Sequence, residues 1–383
     1  MFKLEKYQAR WCSRTTACLL ICVAAVPLAH SGCESGPSDP GQGGGANCTA
    51  QVGESSATAT QEFLSRLSGQ IGQARRGRQY ALPNSLKDAQ YRERGGAAGA
   101  AEGGDFAEIG RAAVFSSYDY ADSERDSSAV AAGFEQETHS AMLGVDYRID
   151  PSFFAGASLS YINSETRLDK TADGNDMDSL VLGVHASKYW HNDFFAELLV
   201  TLGDIELDSD RSDFSSRYQA ATDGDFVSGE VSLGYGHSDG RWRLTPLIRL
   251  LSMRGELDAY TESDSSGVGA PRSVETQYID SLMADLSLQV DYVILTDWGV
   301  LIPSYRMNYR SELADANAVT YTAGGITTTE TPDDPDDQVY VVNAGVSAQL
   351  PRGLSLFSSY EQLLGHAFME RRSAVVGFRY ELP

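Results

Sequence analysis

The sequence predicts an all-β fold: a twelve-stranded antiparallel transmembrane β-barrel over residues 110–383, behind a mostly disordered N-terminal arm with one short helix. Three observations predict it. From about Gly110 onward, successive segments alternate apolar and polar residues with period two, the pattern of strands whose faces meet different surroundings. The connections between them alternate between short and long. Charge is kept off the apolar face of nearly every segment.

Composition sets the outer bounds. A net charge of -23 over 383 residues argues against a nucleic-acid partner, which needs a basic face to neutralise phosphates. With 22% charged residues and 37 glycines the chain resembles a soluble acidic protein. Strands that alternate lipid-facing and lumen-facing side chains give the same modest average. All five cysteines (Cys12, Cys18, Cys22, Cys33 and Cys48) fall in the first 48 residues, which suits a chain exported through an oxidising compartment.

Taken in order, residues 1–31 read as a signal peptide. Lys3, Lys6, Arg10 and Arg14 precede an apolar run from Ala17 to Ala29, too short to span a bilayer, and Ala29-His30-Ser31 offers a cleavage site after Ser31. Ser31-Gly32-Cys33 also resembles the end of a lipoprotein signal, with His30 where an aliphatic residue is usual, so Cys33 is a possible lipidation site. Unlipidated, it could pair with Cys48. Residues 32–57, rich in Gly, Pro and Ser, read as linker. Residues 58–109 read as a short passenger or linker with one helix, where Phe63, Leu64, Leu67 and Ile71 stand at helical spacing. That helix is either a surface element or a segment lying in or near the barrel lumen.

The strands begin near residues 111, 138, 153, 177, 193, 226, 240, 277, 298, 338, 352 and 371. In SLMADLSLQVDY the even positions Leu282 to Tyr292 are apolar while Asp285, Ser287, Gln289 and Asp291 share the opposite face. The last strand sets Ala374, Val376, Phe378, Tyr380 and Leu382 against Ser373, Gly377, Arg379 and Glu381. Short turns are expected at 149–152, 191–192, 238–240, 296–299 and 351–353, and longer loops near 119–137, 163–176, 204–225, 256–275, 311–337 and 362–370. One tight rim and one loopy rim is the habit of an outer-membrane barrel, with the long loops outside. Tyr147, Trp190, Trp242 and Tyr292 beside short turns, and Tyr161, Tyr309 and Tyr360 toward the loops, read as interfacial girdles. Asp146, Arg148, Glu230, Asp285, Arg306, Arg310 and Arg379 fall on the lumen side; Lys188, the exception, stands beside Tyr189 and Trp190 at a rim where its amine can snorkel.

With those segments in place, residues from about 110 to 383 resemble the autotransporter β-domain. THSAMLGVDYRIDPSFFAGASLSY is similar to its early hairpin, WGVLIPSYRMNYRSEL to a late strand, GLSLFSSYEQLLG to its penultimate strand and SAVVGFRYEL to its closing one. The closing strand carries what resembles the general assembly signal, Gly377, Phe378, Tyr380 and Leu382, although the family usually ends on Phe or Trp and this chain ends Leu382-Pro383. The resemblance implies a barrel inserted in the bacterial outer membrane that displays or threads a short N-terminal segment. Its implied partners are outer-membrane lipid and lipopolysaccharide, periplasmic chaperones and the barrel-assembly machinery. The alternative is a small outer-membrane pore, or a structural surface protein or adhesin without a secreted passenger.

No catalytic constellation is expected. A G-D-S-L block is missing and the six histidines are scattered, so the chain is not read as an enzyme and no cofactor or metal is assigned. The acidic stretch Asp333, Asp334, Asp336 and Asp337, with Asp208, Asp210 and Asp213, reads as solvated carboxylates that keep loops extended, with calcium ligation as the second reading.

Overall fold

A computed structural model describes residues 59–60, 63–67, 69–72 and 111–383 except 127–132, 169–172, 213–215, 266, 268, 315–317 and 331–337, all within one compact unit, Gly44–Pro383. Twelve long strands make the barrel: β1 (Ala112–Arg125), β2 (Phe134–Asp150), β3 (Phe153–Leu168), β4 (Gly174–Tyr189), β5 (Phe194–Ser212), β6 (Arg217–Tyr235), β7 (Trp242–Leu257), β8 (Gln277–Tyr292), β9 (Gly299–Glu312), β10 (Gln338–Gln349), β11 (Leu354–Leu364) and β12 (Met369–Glu381). Each pairs antiparallel with the next, and β12 returns to β1 from Ala113↔Glu381 to Arg125↔Met369. Closure is what lipid demands, because an open edge would leave backbone N–H and C=O groups without partners.

Along each strand alternate residues point in and out. The outward midsections are apolar and exposed, with Leu143, Leu159, Leu182, Leu202, Leu233 and Ile248 among them. In water so large an apolar surface would aggregate; against hydrocarbon it is the stable arrangement. Aromatic pairs stitch neighbouring strands at both borders of this belt: Trp242 and Tyr292 lie 4.6 Å apart between centroids, Tyr309 and Tyr340 5.5 Å. Lys188 faces outward at the turn rim, where its Nζ donates to Ser152 Oγ at 2.7 Å and lies 3.7 Å from Asp150.

The five expected turns form one rim, and two carry short ladder extensions, His237–Asp239 and Ile294–Thr296. The other rim differs from expectation. β5 runs to Ser212 and β6 starts at Arg217, so most of the anticipated 204–225 loop is paired strand; β1 likewise reaches Arg125 and β2 starts at Phe134. The reason is that beyond the lipid belt the outward face has no need to be apolar. Asp204, Glu206, Asp208 and Asp210 face outward there, and the period-two signal fades while the hydrogen-bond ladder continues.

The two longest connections also hold structure that the periodicity did not announce. Tyr260–Thr261, Arg272–Val274, Val319–Ala323 and Ile326–Glu330 form a separate four-stranded sheet. One face buries Val274, Val319 and Tyr321. The other shows hydroxyl pairs: Thr261 with Ser273 at 3.0 Å, and Thr322 with Thr327 at 2.9 Å. Bidentate pairing of Arg211 on β5 with Glu262, at 2.8 and 2.6 Å, fastens this cap to the strand ends.

Candidate functional site in the barrel lumen

The lumen is occupied. Residues 59–60, 63–67 and 69–72 are helical, and Ala59, Phe63, Leu64, Leu67 and Ile71 are buried in one apolar cluster with inward residues of the wall, among them Met177, Val181, Ile205, Phe226 and Met253. A helix this short is marginal alone in water. Burial supplies what propensity does not, at roughly 1.5–3 kcal/mol for each large apolar side chain. At 1.5 Å per residue the helix is about 21 Å long, close to the ~25 Å apolar band of such barrels.

Its opposite face is polar and meets a polar wall. Arg66 Nε donates to Asp119 Oδ2 on β1 at 3.0 Å, and Gln70 Nε2 donates to the same oxygen at 2.9 Å. Ser117 Oγ donates to Gln70 Oε1 at 2.7 Å, and Arg249 Nη1 on β7 donates to the Ser65 carbonyl at 2.6 Å. The carboxylate of Asp119 is buried, so the Arg66 charge is its counter-ion rather than an ornament.

The helix has a direction. Thr60 Oγ1 donates to Met177 Sδ at 3.9 Å, three residues from the loop-side end of β4. Gly72 instead lines a cavity with Phe195 and Asp291, each one residue from the turn-side end of its strand. The N-terminal end of the helix therefore lies toward the loop rim and its C-terminal end toward the turn rim.

Two further networks hold the wall. Asp285 is shared by Arg249 and Arg310, the latter at 3.0 Å. Asp146 accepts from His185 Nε2 at 2.7 Å and also pairs with Arg379, whose Nε donates to Glu381 at 2.8 Å. Since Arg379 and Glu381 are on β12 and Asp146 on β2, this set spans the seam. Such buried charges fit a lumen and would be costly facing lipid.

One feature was missed at the sequence level. Four inward phenylalanines each stand directly across from a glycine on the adjacent strand: Phe115 and Gly144, Phe195 and Gly234, Phe226 and Gly203, Phe357 and Gly377. A β-carbon on these glycines would fall 2.2–2.4 Å from the ring. Each ring thus lies over its neighbour's backbone. The signal was available as Gly at lumen-side positions, legible only once the register is known.

Of the sequence-derived site residues, Gly377 faces inward under Phe357, while Phe378, Tyr380 and Leu382 face outward and are exposed. Cys33 and Cys48 lie outside the described residues, as do Asp213 and Asp333, Asp334, Asp336 and Asp337. Asp208 and Asp210 face outward on β5. Among the described residues no group of three or more His, Cys, Asp or Glu is arranged to hold a metal ion.

A closed twelve-stranded antiparallel barrel with an apolar outer belt and a helix in its polar lumen defines an outer-membrane protein of the translocator kind. The autotransporter β-domain model matches residues 114–361, more than half of the chain, and the chain belongs to that family. It is 26% identical over 204 residues to the probable autotransporter YpjA of Escherichia coli (strain K12), a match over 51% of this chain and 13% of that protein, so the chain spans only a small part of that relative's length. Among solved structures, the translocator domain of the autotransporter NalP from Neisseria meningitidis is similar, with a TM-score of 0.58 at 16% identity, covering 77% of this chain and 95% of that one. The β-domain of the Bordetella autotransporter BrkA gives 0.55 at 16%, over 71% and 100%. The transport unit of AIDA-I from Escherichia coli gives 0.52 at 13%, over 81% and 98%. At these identities the likeness is one of fold.

Proposed function

We propose that this barrel is a translocator whose lumen helix is the tail of a short displayed segment, with the loop rim facing the cell exterior. The direction of the helix carries this reading: its N-terminal end lies near Met177 toward the loop rim, the end from which a displayed segment would continue. The polar contacts of Arg66 and Gln70 with Asp119 would hold the helix after passage. In this reading residues 1–31 direct export, and Cys33 is either a lipid attachment point or a plain thiol of the arm. The closing strand, with Gly377, Phe378, Tyr380 and Leu382, is what the assembly machinery reads, and lipid and lipopolysaccharide surround the belt. No cofactor or catalysis is needed. An epitope placed near residue 55 tests the proposal on intact cells: external protease should remove it while the barrel stays in the membrane. Full protection of the tag on a correctly inserted barrel would overturn it.

A further inference from the structure

The space beside the helix is uneven. Between it and the wall from β5 round to β12 lie two adjoining cavities of about 70 and 20 Å³, which share Gly69, Arg249 and Arg306. The larger extends to Phe195 and Asp291 near the turn rim, and the smaller is bordered by Asn308, Asn343, Glu361 and Ser373. On the order of 10–15 Å³ of such volume holds a water molecule, so polar cavities of this size are wettable. The helix leaves the room deliberately small-sided here: a β-carbon on Gly69 would stand 3.5 Å from Arg306 Nη1, and one on Gly72 would meet nothing within 4 Å.

One layer nearer the loop rim the wall changes character. The inward residues pass from Asn343 to Val341 on β10, from Glu361 to Leu363 on β11 and from Arg371 to Met369 on β12. They pass from Gln136 to Phe134 on β2 and from Thr166 to Leu168 on β3. Val339, Val341 and Leu363 form one buried cluster, Phe134 and Leu168 another, and Met369 packs on both. The register sets Val341 opposite Leu363, and separately sets Met369, Arg125, Phe134 and Leu168 opposite one another on successive strands, and the packing of Met369 on both clusters joins the two sets into one row. Arg125 is buried within this row.

We propose that this row is a hydrophobic seal above a wettable vestibule, so that ions entering beside the helix from the turn rim are stopped at the loop rim by dewetting. A constriction of apolar side chains at the end of a polar path is how dewetting gates work. The inference concerns which end of the lumen is tight and does not depend on what the helix displays or which rim faces outward.

Planar-bilayer recording of the full chain tests it. The double variant Val341→Asn with Leu363→Asn should raise conductance roughly tenfold or more by wetting the row. Phe134→Asn, on the other half, should raise it in the same direction. Unchanged conductance in variants whose heat-modifiable migration shows a folded barrel would overturn the seal, as would a wild-type chain that conducts as freely as they do. Deletion of residues 59–72 is a separate arm: a large conductance there with none in the seal variants leaves the helix filling the lumen and removes the seal. Loss of the residue-55 tag's accessibility, by contrast, bears on display alone.

Discussion

At the scale of single residues, the glycine–phenylalanine pairs are the sharpest constraint. Gly144 sits under Phe115 with ring atoms 2.2–2.8 Å from where a β-carbon would be, and the strand backbone below cannot retreat. Gly144→Ala should therefore cost about 1–3 kcal/mol, the usual range for overpacking. Chemical denaturation of refolded barrel in detergent would measure it. Phe115→Leu should relieve most of the penalty in a double-mutant cycle, because the two residues share one contact; simple additivity of the two losses would show that the ring is not the cause. Individual positions were partly legible. Asp146, Glu230, Asp285 and Arg379 were assigned to the lumen because lipid would not tolerate them, a one-residue argument. Their partners were not, since His185 on β4 and Arg379 on β12 meet Asp146 only through the register of a closed sheet.

At the scale of elements, the helix is held on two sides by different forces, apolar packing on one and a buried ion pair on the other. Asp119→Ala removes the buried carboxylate that Arg66 and Gln70 share, and breaking such a buried pair costs on the order of 3–5 kcal/mol. The helix should then leave the lumen for part of the time, read as limited proteolysis within residues 59–72 and as intermittent conductance. Replacing both partners by leucine should restore much of the protection, since apolar groups of similar volume carry no desolvation cost. The helix itself was readable from the spacing of Phe63, Leu64, Leu67 and Ile71. Its location was not, because an apolar stripe names no partner. The strands were readable wherever lipid forces the outward face to be apolar, and their ends were lost where that pressure stops, as on β5 beyond Leu202. The cap hairpin Val319–Glu330 carried one overlooked cue, Gly324-Gly325 between two β-branched runs, both with φ near +57° to +80° as a tight hairpin turn requires.

At the scale of the whole molecule, the chain's acidity is gathered beyond the belt. Glu137, Glu165, Asp176 and Asp208 stand directly opposite one another on four successive strands. Burial first, and then the carboxylates of Glu165, Asp208 and Asp210, hold the Asp176 carboxyl above its ordinary value. A carboxyl raised in the folded state favours folding when protonated, so its contribution is fully present below the unfolded value and is lost as pH rises through the folded one. At the turn rim the hydrogen bonds from Ser152 hold Asp150 below its ordinary value, and there stability is lost as pH falls. Amide protection factors, taken relative to the intrinsic exchange rate at each pH, should therefore rise at the loop-side ends of β3–β5 on acidification toward pH 4 and fall at the 150–153 turn. Asp176→Asn should flatten the first response; identical behaviour of the two rims would contradict it.

The seam between β1 and β12 sets the tempo at which such a molecule comes into being. Asp146 and Arg379 are 233 positions apart, and joining chain ends over that separation costs roughly 5 kcal/mol of loop entropy by (3/2)RT ln n. Hairpins along the way close cheaply between neighbours, whereas the ring gains its last ladder only when the final strand has arrived. The native contacts of highest sequence separation are thus also those that complete the cylinder, and a chain that lacks its closing strand would wait as an open curl with two unmet edges.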